Sequence, residues 1–495
     1  MKLAHDAPPQ GTVRDWIDFR AESDGVAIVF TDGSPALNWA ELRDEARQIA
    51  RTLTAQGIAK GESIAILQPN SREGVLAFYG AVYGGFRATM VNLAAGRDAM
   101  AYALEHCEAR IGMVHDSVAD MYESVRPEGM KRLSVFTIHA DIALHDVTPA
   151  DHALLMYTSG TTGRPKGVVH TQSSLLAGGW TPAIAHKLTD QDRAFCVLPI
   201  CHINGLCVTV MGALVSGGSV AMAEKFSASR FWTQVEDTKA TWFSVVPTII
   251  SHLLHGDGDS DAPSKERLRF GRSASSALAP DVQTAFETRF GIPIIETMGL
   301  TETAAQILSN PLPPGTRKIG SPGIAYGNEV AILAADLSEC PPDVEGEIAI
   351  RGPNVMLEYL KNPEATEATF HGDWLRTGDL GRKDAEGYLF VTGRLKELII
   401  KGGENIAPRE IDEALYAHSD VVEAAAFARP CTVYGERVEA AVRLCDGSAL
   451  TAQDLIASCI EKLGKFKAPD HVHFLPELPK GPSGKIQRLK LAEIL

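Results

Sequence analysis

Cysteine is sparse, with eight in 495 residues at positions 107, 196, 201, 207, 340, 431, 445 and 459, and no two are spaced as CxxC. That excludes a disulfide scaffold and the paired thiols of a structural zinc site, and it suits reduced thiols in a cytoplasmic setting. No stretch reaches the ~18 uninterrupted apolar residues of a membrane span. The most apolar region, 207–220, is broken by glycines and reads as a buried helix and strand. The first 20 residues carry Asp6, Asp15 and Asp18 and no apolar run, unlike a signal peptide. Positive charge is not in excess: 47 Lys and Arg stand against 62 Asp and Glu, a net charge of −15. That balance speaks against nucleic acid as the main partner, although a local loop in an acidic protein can still bind a nucleotide. Internal repeats and low-complexity segments are also missing.

What is present is ordinary globular material, 45% hydrophobic and 22% charged, in a chain long enough for two or more domains. Residues 41–58 read as an amphipathic helix, with Leu42, Ala46, Ile49, Ala50 and Leu53 on one face and Gly57 at its end. Residues 63–67 read as a buried strand and 74–83 as another helix. This alternation runs to about residue 300 and implies layered α/β structure. From about 320 the pattern turns to strands joined by glycine turns, at 330–333, 346–351 and 387–391. A small unit follows, with helices at 408–416 and 452–463 and strands at 421–427 and 438–444. The expected fold is therefore α/β: a large N-terminal domain of layered α/β subdomains plus a β-rich subdomain, then a small α+β C-terminal domain. The boundary is placed at 1–395 and 396–495.

The most informative segment is Tyr157-Thr158-Ser159-Gly160-Thr161-Thr162-Gly163-Arg164-Pro165-Lys166-Gly167-Val168, which follows an apolar strand at 153–157. Its glycines let backbone approach phosphate, and its hydroxyls and lysine donate to phosphate oxygens. The P-loop NTPase signature needs Gly before Lys and Ser or Thr after it; here Pro165 precedes Lys166 and Gly167 follows. The segment instead resembles the phosphate-binding signature of the adenylate-forming superfamily, which includes acyl-CoA synthetases, firefly luciferase and peptide-synthetase adenylation domains. The resemblance covers nearly the whole chain, from about Thr12 to Leu495, and further motifs come in the family's order.

That resemblance implies a role for each matching residue. Thr158, Ser159, Gly160, Thr161, Thr162, Gly163 and Lys166 would cradle the β- and γ-phosphates of ATP. In Gly299-Leu300-Thr301-Glu302, Thr301 would meet the α-phosphate and Glu302 would hold Mg²⁺, a cation that prefers carboxylate and phosphate oxygens. Ser276, Glu296, Thr297 and Met298 would complete the nucleotide pocket. Met298 stands where the family often has an aromatic residue, and a thioether can also cover a ring face. Asp379 would accept from the ribose hydroxyls, with Arg394 nearby and Lys396 as the pivot of a mobile C-terminal domain. Gly402 and Gly403 would approach the thiol substrate after that domain turns. Lys485, in Pro479-Lys480-Gly481-Pro482-Ser483-Gly484-Lys485, would be the adenylation lysine, and Lys480 would not. His202 would gate the acyl pocket. Glu358 replaces a glycine often found before Tyr359, and a local turn change without chemical consequence is expected there.

The activity implied is ATP-dependent ligation of a carboxylic acid to a thiol, through an acyl-adenylate and with release of pyrophosphate. The partners are a small-molecule acid, ATP with Mg²⁺, and coenzyme A; no membrane is involved, and a homodimer is compatible with the chain. An adenylation enzyme loading a carrier-protein thiol is the alternative, and the lack of a carrier domain after Leu495 favours coenzyme A. A nucleotide-binding homologue without catalysis fits poorly with the presence of Lys485, Glu302 and Asp379. The acyl pocket, by the same resemblance, is built around residues 202–205, 272–276 and 297–300. The first two of those segments are polar, and Arg272 can hold a second anionic group in fork geometry. A short acid with two anionic groups is therefore expected, such as a small dicarboxylate or sulfoacetate. The competing expectation is that Arg272 faces away on its strand and pairs with a surface acid.

Overall fold

The helix expected from residue 41 starts two residues earlier, at Trp39–Ala55, because Asn38 caps it. The Asn38 side chain accepts from the Glu41 amide at 2.8 Å, and the Glu41 carboxylate accepts from the Asn38 amide at 3.0 Å. This reciprocal pair satisfies two N–H groups that a helix start leaves open. The stripe Leu42, Ala46, Ile49, Ala50 and Leu53 is buried. Likewise Ser71 caps Arg72–Tyr83, two residues ahead of the expected start. The structure, a computed structural model, describes residues 3–133, 141–158, 165–256, 267–481 and 485–495.

Among the described residues there are four sheets. A seven-stranded sheet has at its centre the parallel strands Arg87–Met90, Ser63–Leu67 and Ile111–Val114, buried on both faces as sheets covered by helices are. His152–Thr158, Lys166–Thr171 and Glu358–Tyr359 extend it on one side. Glu358 thus pairs with Val169 on a strand, where a turn change was expected. A nine-stranded sheet holds the parallel run Trp242–Val245, Phe270–Ser273 and Ile294–Leu300, and the candidate site lies off the ends of these strands. Next to them, where a buried helix and strand are expected over 207–220, stand a π-helix, Asn204–Met211, the short helix Gly212–Ser216 and the buried strand Ser219–Met222. Such wide turns break the regular helical period, so spacing alone does not disclose them.

The third sheet is antiparallel and carries Gly346–Arg351, Trp374–Lys383 and Leu389–Arg394. The strand expected at 387–391 is shifted: Gly387 is the turn, at φ 88°, and pairing with Trp374–Lys383 carries the strand on to Arg394. That register sets Arg394 opposite Asp379. The fourth sheet begins at Ile399–Lys401 and includes Val421–Cys431 and Gly435–Leu444, with its own core of Ile399, Ile411, Leu415, Val438 and Leu455 under the helices Pro408–Tyr416 and Ala452–Leu463. A large N-terminal domain and a smaller C-terminal one result.

Helix Pro247–His255 of the large domain meets Val421–Cys431 of the small one. Ser251 Oγ donates to Val422 O at 2.6 Å, and His252 Nε2 faces Glu423 Oε1 at 2.9 Å. Glu423 is fully buried and also meets Lys480 Nζ at 2.8 Å and the Leu478 amide at 3.2 Å. Burial disfavours its charge, but these donors outweigh burial and hold its carboxyl down at about 2. A depressed carboxyl stabilises the fold above its unfolded value, ~4.3, and that contribution fades as the pH falls toward the folded value. Glu423→Gln should therefore lower the melting temperature at pH 7, and the gap to the parent should narrow by pH 3. A gap independent of pH would remove the assignment.

Candidate active site

Strands His152–Thr158 and Lys166–Thr171 pair with Thr158 opposite Lys166. Ser159, Gly160, Thr161, Thr162 and Gly163 lie outside the described residues, while the two ends of their segment are in place. Lys166 points its ammonium at the ring of Tyr359, 3.8 Å from the centroid. Burial and nearby Lys396 lower its pKa, and Glu302 opposes them. Lys396 thus stands within electrostatic reach of Lys166.

Thr301–Thr303 form a single 3₁₀ turn after strand Ile294–Leu300, followed by Ala304 and Ala305, both at positive φ (46° and 88°). Two such residues in succession are costly without a side chain suited to that region, so the surroundings must hold them. Three hydrogen bonds to the turn supply that support. His170 Nε2 donates to Thr301 O at 2.7 Å, Asn354 Nδ2 to Thr303 O at 2.8 Å, and the Met356 amide to Glu302 O at 2.8 Å. Burial pulls His170 down to about 4, so its ring is neutral and carries the proton on the nitrogen facing that carbonyl. Gly299 is required at the base of the turn, because a Cβ there would lie 1.7 Å from Ala305 O. Glu302 accepts from Tyr359 Oη at 2.7 Å through Oε1. Its Oε2 has no partner among the described residues and is a hard oxygen donor that suits Mg²⁺.

A cavity of about 220 Å³ brings together Ser275, Ser276, Glu296, Thr297, Met298, Asp379, Arg394 and Lys485. Glu296 Oε1 accepts from the Leu278 amide at 3.1 Å, while Oε2 is buried without a partner among the described residues. Burial raises its carboxyl pKa. An unsatisfied buried acceptor on a cavity wall fits a ligand bearing N–H groups, as a purine amine does. Arg394 Nε donates to Asp379 Oδ1 at 2.5 Å. Burial works against the Arg394 charge, yet Asp379, Glu397 and Glu302 raise its pKa. Lys485 comes from the C-terminal domain; burial, then Arg394, lowers its pKa, and Glu397 and Asp379 oppose them.

Thr158, Lys166, Thr301, Glu302 and Lys396 do not line this cavity, and neither do Gly402, Gly403 and His202. Gly402 and Gly403 form an exposed hairpin turn at φ 60° and 87°, with the Gly402 amide on Tyr434 O. His202 precedes the π-helix, its amide donating to Pro199 O at 3.0 Å. Behind the cavity wall lies Arg272. Its guanidinium is buried and donates to Asn204 Oδ1 at 2.8 Å, Ser244 Oγ at 3.1 Å and Gln306 Oε1 at 3.2 Å. Asn204 in turn donates to Ser275 Oγ at 3.3 Å, on the cavity wall. The expected alternative, a surface acid, is not what Arg272 meets: these three groups are neutral, and no carboxylate among the described residues pairs with it.

Sequence reasoning missed Tyr359, His170 and the contacts by which Asn204, Ser244 and Gln306 cradle Arg272. For His170 a signal existed, since residues 166, 168 and 170 of one strand share a face. The other contacts bring together segments far apart in sequence.

A layered α/β domain with a small domain that adds Lys485 to its cavity defines a class, and comparison with known proteins agrees. The model of the AMP-binding enzyme family matches residues 17–360, and that of the AMP-binding enzyme C-terminal domain matches 410–485. The chain belongs to the AMP-binding enzyme family. It is 44% identical to a sulfoacetate–CoA ligase of Cupriavidus necator over 480 residues, 94% of each chain. It is 35% identical to an oxalate–CoA ligase of Arabidopsis thaliana, covering 90% of this chain and 91% of that one. The crystal structure of ATP-bound MatB from Rhodopseudomonas palustris superposes with a TM-score of 0.88 at 28% identity, covering 97% of this chain and 98% of that one. The apo form of MatB gives 0.76 over the same shares, so the overall arrangement here is nearer the ATP-bound one.

Proposed function

We propose that this chain is an AMP-forming acyl-CoA synthetase acting on a small acid with a second anionic group. The acid's carboxylate oxygen attacks the α-phosphorus of ATP, the bond to the bridging oxygen breaks, and pyrophosphate leaves. The thiolate of coenzyme A then attacks the acyl carbonyl and AMP leaves. Charge accumulates on phosphoryl oxygens in the first half, so positioning and electrostatic stabilisation dominate. The carrying observation is that Lys485 of the C-terminal domain reaches the cavity holding Asp379 and Arg394 of the large domain.

In this reading residues 158–166 hold the terminal phosphates and Thr301 the α-phosphate. Ser276, Glu296, Thr297 and Met298 line the base pocket, and Asp379 with Arg394 meets the ribose. Mg²⁺ on Glu302 would neutralise phosphate charge. The domain boundary falls at 395/396, between the last strand of the third sheet at Arg394 and the first of the fourth at Ile399. A turn about Lys396 would withdraw Lys485 and bring Gly402 and Gly403 to the thiol path, while His202 gates the acyl end. Sulfoacetate and oxalate, the acids named for two relatives, each carry two acidic groups, and Arg272 offers the matching charge. Both relatives are CoA ligases, which favours coenzyme A over a carrier protein. Eight free cysteines suit a cytoplasmic setting, and no described helix is long and apolar enough to cross a membrane.

The test is pyrophosphate release with ATP over a panel of acids, with and without coenzyme A, and mass analysis of products. Acid-dependent release together with one acyl-CoA and one AMP per pyrophosphate is expected. Release without a thioester would leave only the adenylation half, and no acid-dependent release would refute the reading.

A further inference from the structure

Tyr359 touches both charged groups that flank the phosphate end of the site. It sits opposite Val168 on the strand returning from the phosphate loop, packed against Val168, Met356 and Leu375, and is 3% exposed. Its hydroxyl donates to Glu302 Oε1 at 2.7 Å, and its ring face lies 3.8 Å from Lys166 Nζ. Lys166 and Glu302 attract each other, yet no ion pair between them forms among the described residues. An ammonium and a carboxylate that share one tyrosine as neighbour are drawn toward direct contact, since their attraction rises steeply as water is excluded. The closed pair would spend the two charges a metal–phosphate group needs.

We propose that Tyr359 is a positioning residue that keeps Lys166 and Glu302 apart. The phenol hydroxyl takes one carboxylate oxygen and aims the other at Mg²⁺, and the ring face holds the ammonium for phosphate. The inference rests on the reading of Glu302 as the metal ligand.

The two contacts can be removed separately. Tyr359→Phe keeps the ring and loses the hydroxyl; Tyr359→Leu loses both. The readout is ATP binding by calorimetry across a Mg²⁺ series, with a melting curve for each variant to confirm folding. For Tyr359→Phe the Mg²⁺ needed for half-maximal ATP binding should rise about tenfold, the worth of one hydrogen bond to a charged group, with ATP affinity at saturating Mg²⁺ nearly unchanged. For Tyr359→Leu that saturating affinity should also fall, by about three- to tenfold for the lost ring–cation contact. Glu302→Gln is the control for the underlying reading. If it leaves the Mg²⁺ requirement unchanged, Glu302 is not the metal ligand and the inference falls with it. If it raises the requirement while Tyr359→Phe does not, only the role of Tyr359 is refuted. A uniform loss of ATP affinity at every Mg²⁺ level in Tyr359→Phe would mark mere packing and also refute it.

Discussion

Lys485→Ala should form the acyl-adenylate at least about a hundredfold more slowly than the parent, the usual scale for losing one preorganised group on developing charge. It should convert a supplied acyl-adenylate and coenzyme A to thioester at close to the parental rate. The split comes from where the lysine stands. Lys485 lies on the wall of the same cavity as Asp379 and Arg394, although it belongs to the other domain. Its ammonium is held in a partly desolvated place, where a point charge acts strongly on a forming phosphorane and costs no reorganisation. Lys480, five residues earlier, is the internal control. It is committed to Glu423 at 2.8 Å and Glu477 at 2.9 Å and does not line the cavity, so Lys480→Ala should act on stability instead of adenylation. Because burial lowers the Lys485 pKa, the parent's adenylation rate should decline on the alkaline side at a pH below that of an ordinary lysine. Half-reaction rates from pyrophosphate exchange and from thioester formation check the claim. Equal losses in both halves would mean that Lys485 supports the fold, with no specific role in adenylation.

Elements whose apolar pattern stands within one segment were legible in the sequence. Strand Ser63–Leu67 and helices Pro408–Tyr416 and Ala452–Leu463 have the limits that spacing and flanking turns implied. Starts set by a cap were read late, because Asn38 and Ser71 act through side-chain bonds that periodicity does not weigh. The strand ending at Arg394 was shifted because its register depends on a partner elsewhere in the chain. The same divide runs through the site. Asp379, Glu302 and Lys485 stand in local motifs. By contrast, Tyr359 reaches Glu302 across 57 residues and Arg272 reaches Asn204 across 68, and no local pattern encodes either contact. The π-helix at Asn204–Met211 deepens the problem, since its period matches neither template and it delivers Asn204 to Arg272.

The parent should prefer malonate, oxalate, succinate or sulfoacetate over acetate, octanoate and benzoate in kcat/KM, and Arg272→Leu should erase that preference. A buried charge is expensive, and a protein normally offsets it with an opposite charge. Among the described residues Arg272 has only neutral hydrogen-bond partners, Asn204, Ser244 and Gln306, and burial pulls its pKa down to about 9. Three acceptors orient a guanidinium without neutralising it. Such a cation, one hydrogen-bonded link behind the Ser275 wall, gains most from an anion that arrives with the substrate. Removing Arg272 strands three buried polar groups, so Arg272→Leu can weaken the fold as well. Arg272→Lys addresses that: it keeps the charge but loses the planar fork, and it should cut kcat/KM for dianionic acids about tenfold or more while leaving acetate nearly unchanged. An advantage of octanoate or benzoate over the dianionic acids by about tenfold, or 1.4 kcal/mol in transition-state binding, would exclude an anion subsite. A folded Arg272→Leu enzyme with the parental ranking would instead show that Arg272 serves to hold the π-helix against its strands, with the second anionic group recognised elsewhere.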